Sequence, residues 1–162
     1  MKQGETTALH KILAMKKRLC IVQGGSSAGK TYAILLILID RAQAHKAKVI
    51  SVVSESMPHL RKGAIRDFKG ILQTYGYWDE NRWNETNSVY TFETGSIIEF
   101  FGVDSPDKVH GPRRNILFIN EANNVSYDTF SQLALRTDED IYLDYNPVSE
   151  FWVHTEVIPK KE

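Results

Sequence analysis

The chain has 162 residues, 42% hydrophobic and 25% charged, a balance that suits one domain with a single core and excludes a disordered chain. Twenty Lys and Arg offset twenty Asp and Glu, so bulk charge names no partner, and contact with nucleic acid would need a local basic patch. Cys20 is the single cysteine, which excludes an intrachain disulfide framework and a cysteine-rich zinc site.

The amino-terminal stretch MKQGETTALHK lacks the apolar segment of a secretory signal, and Thr6 or Thr7 would cap a short helix across ALHKILAMKK. RLCIVQ, residues 18–23, reads as a short buried strand with Cys20 in the core. It runs into Gly24-Gly25-Ser26-Ser27-Ala28-Gly29-Lys30-Thr31, a full match to G-x-x-x-x-G-K-[ST]. Small residues there let several backbone N–H groups converge on a phosphate without side-chain clash, and the following helix adds the positive end of its dipole. Lys30 is expected to reach the β- and γ-phosphates of a nucleotide, and the Thr31 hydroxyl to ligate Mg²⁺.

TYAILLILIDRAQAHK then reads as a helix, apolar on most sides, that packs on a sheet; its greasy run is too short to span a bilayer. KVISVVS suits a central parallel strand. After Met57-Pro58, helical spacing recurs at Leu60, Ile65, Phe68 and Leu72. Asn87–Phe92 and Ser96–Phe101 flank Glu93-Thr94-Gly95 as a hairpin inserted into the pattern. The loop GVDSPDKVHGPRR leads to NILFIN, a third buried strand, then to a helix over Tyr127–Leu135 and the strand IYLDY, which Asn146-Pro147 stops. YGYWDENRW interleaves aromatic and charged residues and is read as a packing or partner surface in preference to a base-stacking one. His59, Arg61, Lys62, Arg66 and Lys69 form a basic cluster on the second helix, read first as a solvated face.

Hydrolysis needs a group that orients the attacking water. Glu121 follows the strand Ile116–Ile119 directly after Asn120, where a glutamate would polarise water towards a γ-phosphate. Asn120 stands where an aspartate ordinarily supports Mg²⁺; its amide is expected to accept a hydrogen bond from a metal-bound water without contributing charge.

The segments RLCIVQGGSSAGKT, GSIIEFFGVDSPDKVHG, NILFINEANN and DYNPVSEFWVH, in this order from about Lys17 to Ile158, resemble the ATPase domain of tailed-phage terminase large subunits. The resemblance implies an α/β, three-layer P-loop NTPase fold of the ASCE type, with a mainly parallel central sheet and an inserted β-hairpin. It implies an ATP- and Mg-dependent motor domain over residues 1–162 that packages double-stranded DNA. The partners it implies are a homo-oligomeric ring, a portal protein and a small terminase subunit in the host cytoplasm, with no membrane. Tyr145-Asn146-Pro147 resembles the motif that couples hydrolysis to movement, which implies that Asn146, at the end of the neighbouring strand, senses the γ-phosphate. Many relatives carry arginine inside the phosphate loop, where this chain has Ser26 and Ser27. A trans-acting arginine is therefore expected, Arg113 and Arg114 being the leading candidates and Arg61 and Arg66 the next. The family's nuclease domain is not expected within these 162 residues. Two other readings stay open on the residues alone: a nucleotide-binding module without catalysis, and a P-loop kinase or helicase outside the packaging family.

Overall fold

Runs of β-branched and aromatic residues bounded by glycine, proline and polar turns give the strands their positions, and their pairing gives the site its location. A computed structural model describes residues 18–23, 27–146 and 151–157. The helix expected across ALHKILAMKK, the phosphate-loop residues Gly24, Gly25 and Ser26, and Pro147 lie outside the described residues.

Five strands run parallel: β1 (Leu19–Gln23), β2 (Val49–Ser54), β5 (Ile97–Gly102), β6 (Arg114–Ile119) and β7 (Thr137–Tyr145). The short β3 (Trp83–Asn84) and β4 (Val89–Thr91) extend one edge antiparallel. The order across the sheet is β1-β7-β6-β2-β5-β4-β3. The expected hairpin is therefore continuous with the sheet: β4 pairs antiparallel with β5, and β5 pairs in parallel with β2 from Val49↔Ile97 to Ser54↔Gly102.

Strand side chains alternate between faces, and both faces are covered. Ile50, Val52, Phe100, Ile116 and Phe118 pack against α1 (Ser27–Ala44) and α3 (Ala64–Thr74) through Ile34, Leu38, Phe68 and Leu72. Their neighbours Val53, Phe101, Leu117, Ile119, Ile141 and Leu143 meet α5 (Tyr127–Leu135) and the π-helical turn Val153–Val157 through Phe130, Leu133, Val153 and Val157. Three layers result, and Cys20 is buried in the first of these cores. None of the described helices is long and apolar enough to cross a membrane.

The second helical region is two helices rather than one. Ser56 caps α2 (Met57–Lys62), its Oγ accepting from the His59 N–H at 3.3 Å, and Pro58 sits in the first turn. Gly63, at φ −120° and ψ −97°, then breaks the helix before α3 begins. The aromatic stretch packs in part: Trp78 and Trp83 lie 6.0 Å apart by ring centroid, beside Tyr90 and Phe68, with the Lys69 ammonium 4.8 Å from the Trp83 ring, whereas Tyr75 and Tyr77 are exposed. The loop after β5 holds one turn of helix, α4 (Pro106–Val109).

Gly102 ends β5 where the chain passes the cap of α2. A Cβ there would lie 2.7 Å from Ser56 Cα and 2.4 Å from Asp104 Oδ1, so only glycine lets the two segments approach. Gly102→Ala is expected to destabilise the fold by about 1–3 kcal/mol through overpacking, read as a lower urea midpoint with unchanged slope.

Candidate active site

In a parallel sheet with helices on both faces, the carboxyl ends of the strands open towards the loops that carry ligands. Here β7 lies between β1, which feeds the phosphate loop, and β6, which ends at Asn120 and Glu121. Register places Asp144 opposite Val22 of β1, while Leu143 pairs with Ile119 of β6. One acid on β7 is thereby brought level with the phosphate-loop side on one flank and with Asn120 on the other.

α1 starts at Ser27 with no acidic residue in its first turn, which leaves the positive end of its dipole uncompensated for an anion. Lys30 and Thr31 follow within the opening of that helix, and both are buried. The Thr31 hydroxyl donates to Asp144 Oδ2 at 3.0 Å. Asn120 Nδ2 lies 3.2 Å from Thr31 Oγ1 and 3.2 Å from each Asp144 carboxylate oxygen. A carboxylate only accepts, so the amide atom facing it is the NH₂. Asn120 is held in turn by its backbone: its N–H donates to Val53 O at 2.8 Å, and Ser54 Oγ donates to its carbonyl at 3.1 Å.

The Asn120 NH₂ faces the carboxylate and the hydroxyl, so it holds Asp144 in place. Asp144 is 1% exposed. Burial pushes its carboxyl up to about 6, more than the opposing pull of the Glu121 N–H, Thr31, Asn120 and the Lys30 charge.

Glu121 leaves the strand in the left-handed region, at φ 54° and ψ 59°. That conformation costs a non-glycine residue about 1–3 kcal/mol, and it is tied by the Glu121 N–H donating to Asp144 Oδ1 at 2.6 Å. The turn places Glu121 on the wall of a cleft of about 260 Å³ whose lining includes Thr31, His59, Lys62, Arg66 and Asn120. Within it, Glu121 Oε2 contacts His59 Nε2, and His59 Nδ1 sits 3.3 Å from Glu55 Oε1. His59 orients the acid.

Lys30 Nζ donates to Tyr145 O at 2.7 Å and to Asn146 Oδ1 at 3.3 Å. Burial pulls its ammonium below the usual range, against the raising effect of Asp144 and Glu121. Lys30, Thr31, Asn120, Glu121 and Asn146 thus meet at one strand edge. Gly29 precedes Lys30 in the same helix; the side chains of Ser27 and Ala28 are outside the described set.

Arg113 and Arg114 do not join them. They stand at the amino end of β6, a six-residue strand away from Asn120, roughly 20 Å at the usual rise per residue. Arg114 is 3% exposed, its Nε donating to Ser51 Oγ at 2.9 Å and an Nη to Leu133 O at 3.1 Å. A side chain enclosed in this way cannot extend to a neighbouring subunit, and Arg113 is paired with Asp138 on the surface. Arg114→Ala is expected to cost about 3–5 kcal/mol, because it removes the cation that most strongly offsets the burial of Glu99. Arg113→Ala is expected to leave the urea midpoint essentially unchanged, its ion pair being exposed to solvent. Urea unfolding of the two variants side by side distinguishes them. Of the four arginines considered, Arg66 is the one on the cleft wall.

Two residues of the site are not singled out by motif reading. Asp144 had one signal, an acid closing the apolar run Ile141-Tyr142-Leu143. His59 had none beyond its place in a basic helix.

The model of the phage terminase large subunit family matches residues 16–162. No curated protein matches the chain in sequence. By structure, the chain is similar to the large terminase of a thermophilic bacteriophage, with TM-score 0.82 and 18% identity, over 98% of this chain and 42% of that one. The same terminase in complex with ATP-gamma-S gives TM-score 0.79 and 18% identity, over 98% and 41%. The large terminase ATPase domain of a Thermus phage gives TM-score 0.63 and 12% identity, over 90% and 66%. The chain spans about two fifths of the length of the first of these, and at such identities the likeness is one of fold. The family model, matched over nearly all residues, carries the stronger statement: this chain belongs to the phage terminase large subunit family.

Proposed function

We propose that this chain is the ATP-hydrolysing motor domain of a viral DNA-packaging terminase, converting hydrolysis into movement of double-stranded DNA into a procapsid. The observation that supports it is the meeting of Lys30, Thr31, Glu121 and Asn146, from distant parts of the chain, at the carboxyl ends of β1, β7 and β6. That a family relative binds ATP-gamma-S in the same fold agrees with it.

The residues fit ATP with Mg²⁺. The helix start and the Lys30 ammonium suit phosphate, while a hydroxyl beside a carboxylate is a hard-oxygen set of the kind Mg²⁺ takes. Charge neutralisation of the phosphate oxygens is the chemistry that Mg²⁺ would supply when bound with the nucleotide. Thr31 would hold it, and Lys30 would bind the phosphates. Glu121 would orient the attacking water and accept its proton, its carboxylate positioned by His59 and by the αL turn.

Coupling follows from what Lys30 holds now. Its ammonium ties α1 to Tyr145 O and Asn146 Oδ1, and an incoming phosphate competes for the same three protons. The end of β7 is thereby made sensitive to the state of the nucleotide. Arg66, on the cleft wall, is a further candidate for transition-state charge, while the surface residue Arg113 stays a candidate to act on a neighbour in a homo-oligomeric ring, a role that the enclosed Arg114 does not fit. Portal protein and small terminase subunit are the assembly partners this reading implies, in the host cytoplasm.

Phosphate release from ATP by the concentrated chain in Mg²⁺ buffer tests the proposal. Turnover that stops with EDTA is the expected result. Tight ATP binding with no turnover at any protein concentration would favour a nucleotide-binding module without catalysis.

A further inference from the structure

The phosphate-loop fold places its metal-supporting acid at the end of β6, and this chain has the uncharged Asn120 there. The charge is present nonetheless, one strand over. Asp144 on β7 is 1% exposed, and its carboxylate lies against the Thr31 hydroxyl at 3.0 Å. The hydrogen bonds it accepts come from the Thr31 hydroxyl, the Asn120 amide and the Glu121 N–H, all neutral donors. Neutral donors orient a buried carboxylate without balancing its charge, and the nearby Lys30 charge offsets its burial only in part.

We propose that Asp144 is the acid of the cation site, transferred from β6 to the adjacent β7, and that Asn120 is the positioning residue that holds it against Thr31. Three observations agree. The strand order makes β7 the neighbour of both β1 and β6, so the end of β7 faces the same space as the end of β6. The Asn120 NH₂ spans both Asp144 oxygens and Thr31 Oγ1, a contact that an aspartate at position 120 would turn into repulsion between two buried acids. The same Asp144 carboxylate fixes the backbone of Glu121, so the cation's acid and the water-orienting acid are set by one side chain. Asn120 and Asp144 thus act as a pair, the amide on β6 and the acid on β7.

The inference rests on the nucleotide-site reading above, and the test separates the two. ADP affinity is measured by calorimetry in Mg²⁺ and in EDTA for the wild type, Asp144→Asn, Asn120→Asp and the double variant Asn120→Asp with Asp144→Asn. The wild type is expected to bind at least tenfold tighter with Mg²⁺. Asp144→Asn should lose that gain while keeping its EDTA affinity within about threefold, a split that a merely structural role would not produce. Asn120→Asp alone should unfold at lower urea, and the double variant should regain most of the Mg²⁺ gain. A wild-type Mg²⁺ gain retained in Asp144→Asn overturns the assignment while leaving the nucleotide site standing. If the wild type binds no ADP in either buffer, the nucleotide reading falls and the assignment with it. Should Asp144→Asn fail to fold, the double variant decides: it keeps one acid and one amide in the same volume, and a Mg²⁺ gain supports the proposal where its absence overturns it.

Discussion

Glu121→Gln is expected to lower ATP turnover by about 10²–10⁴-fold, the range for removing a positioned general base, while ATP affinity changes less than about threefold. The substitution keeps volume and hydrogen-bonding capacity but removes the group that accepts a proton from water. Its selectivity for the chemical step follows from the local geometry. The Glu121 backbone N–H, not its carboxylate, is the part tied to Asp144, so the αL turn and the phosphate side of the site should survive. His59 then has an amide in place of a carboxylate beside its Nε2, a change at the cleft surface only. Single-turnover hydrolysis and ATP binding measured on the same variant give the two numbers. Equal losses in both would remove Glu121 from the role of base.

Lys30→Ala has the opposite signature. Loss of charge-assisted hydrogen bonds to phosphate is expected to weaken ATP binding by about 10- to 100-fold, and hydrolysis falls with it. The same variant breaks the tie to Tyr145 O and Asn146 Oδ1. The end of β7 should then show the same hydrogen-exchange protection with and without ADP, whereas in the wild type protection there should change on binding. A wild-type exchange response in Lys30→Ala would remove Lys30 from the coupling path.

Much of this site was legible because it is written in contiguous residues. The phosphate loop, the helix after it and the acid after ILFIN are local patterns, each readable without knowing what lies beside it. Asp144 belongs to another kind of information. Its partner Thr31 is 113 residues away in sequence and Asn120 is 24 away, and the three meet only because β7 inserts between β1 and β6, an order that local periodicity does not contain. The same gap sets Arg113 and Arg114 apart from their own chain's site. Closeness in sequence to the start of β6 is distance from its end, since a strand carries its two termini to opposite edges of the sheet. The single helix expected after Pro58 failed at Gly63, whose backbone turns out of the helical region although the apolar spacing runs through it. His59 was hidden because a cation on an exposed helix is usually solvated, and only the fold brings Glu121 against it.

The measurement closest to the central claim is steady-state ATP turnover in Mg²⁺ as a function of protein concentration, with and without linear double-stranded DNA. A motor whose transition-state charge is completed by a neighbour should show turnover per chain that rises with concentration and rises further with DNA. Turnover per chain that is constant across concentration and indifferent to DNA would contradict a packaging motor, even with the strand-end site of Lys30, Thr31 and Glu121 hydrolysing ATP.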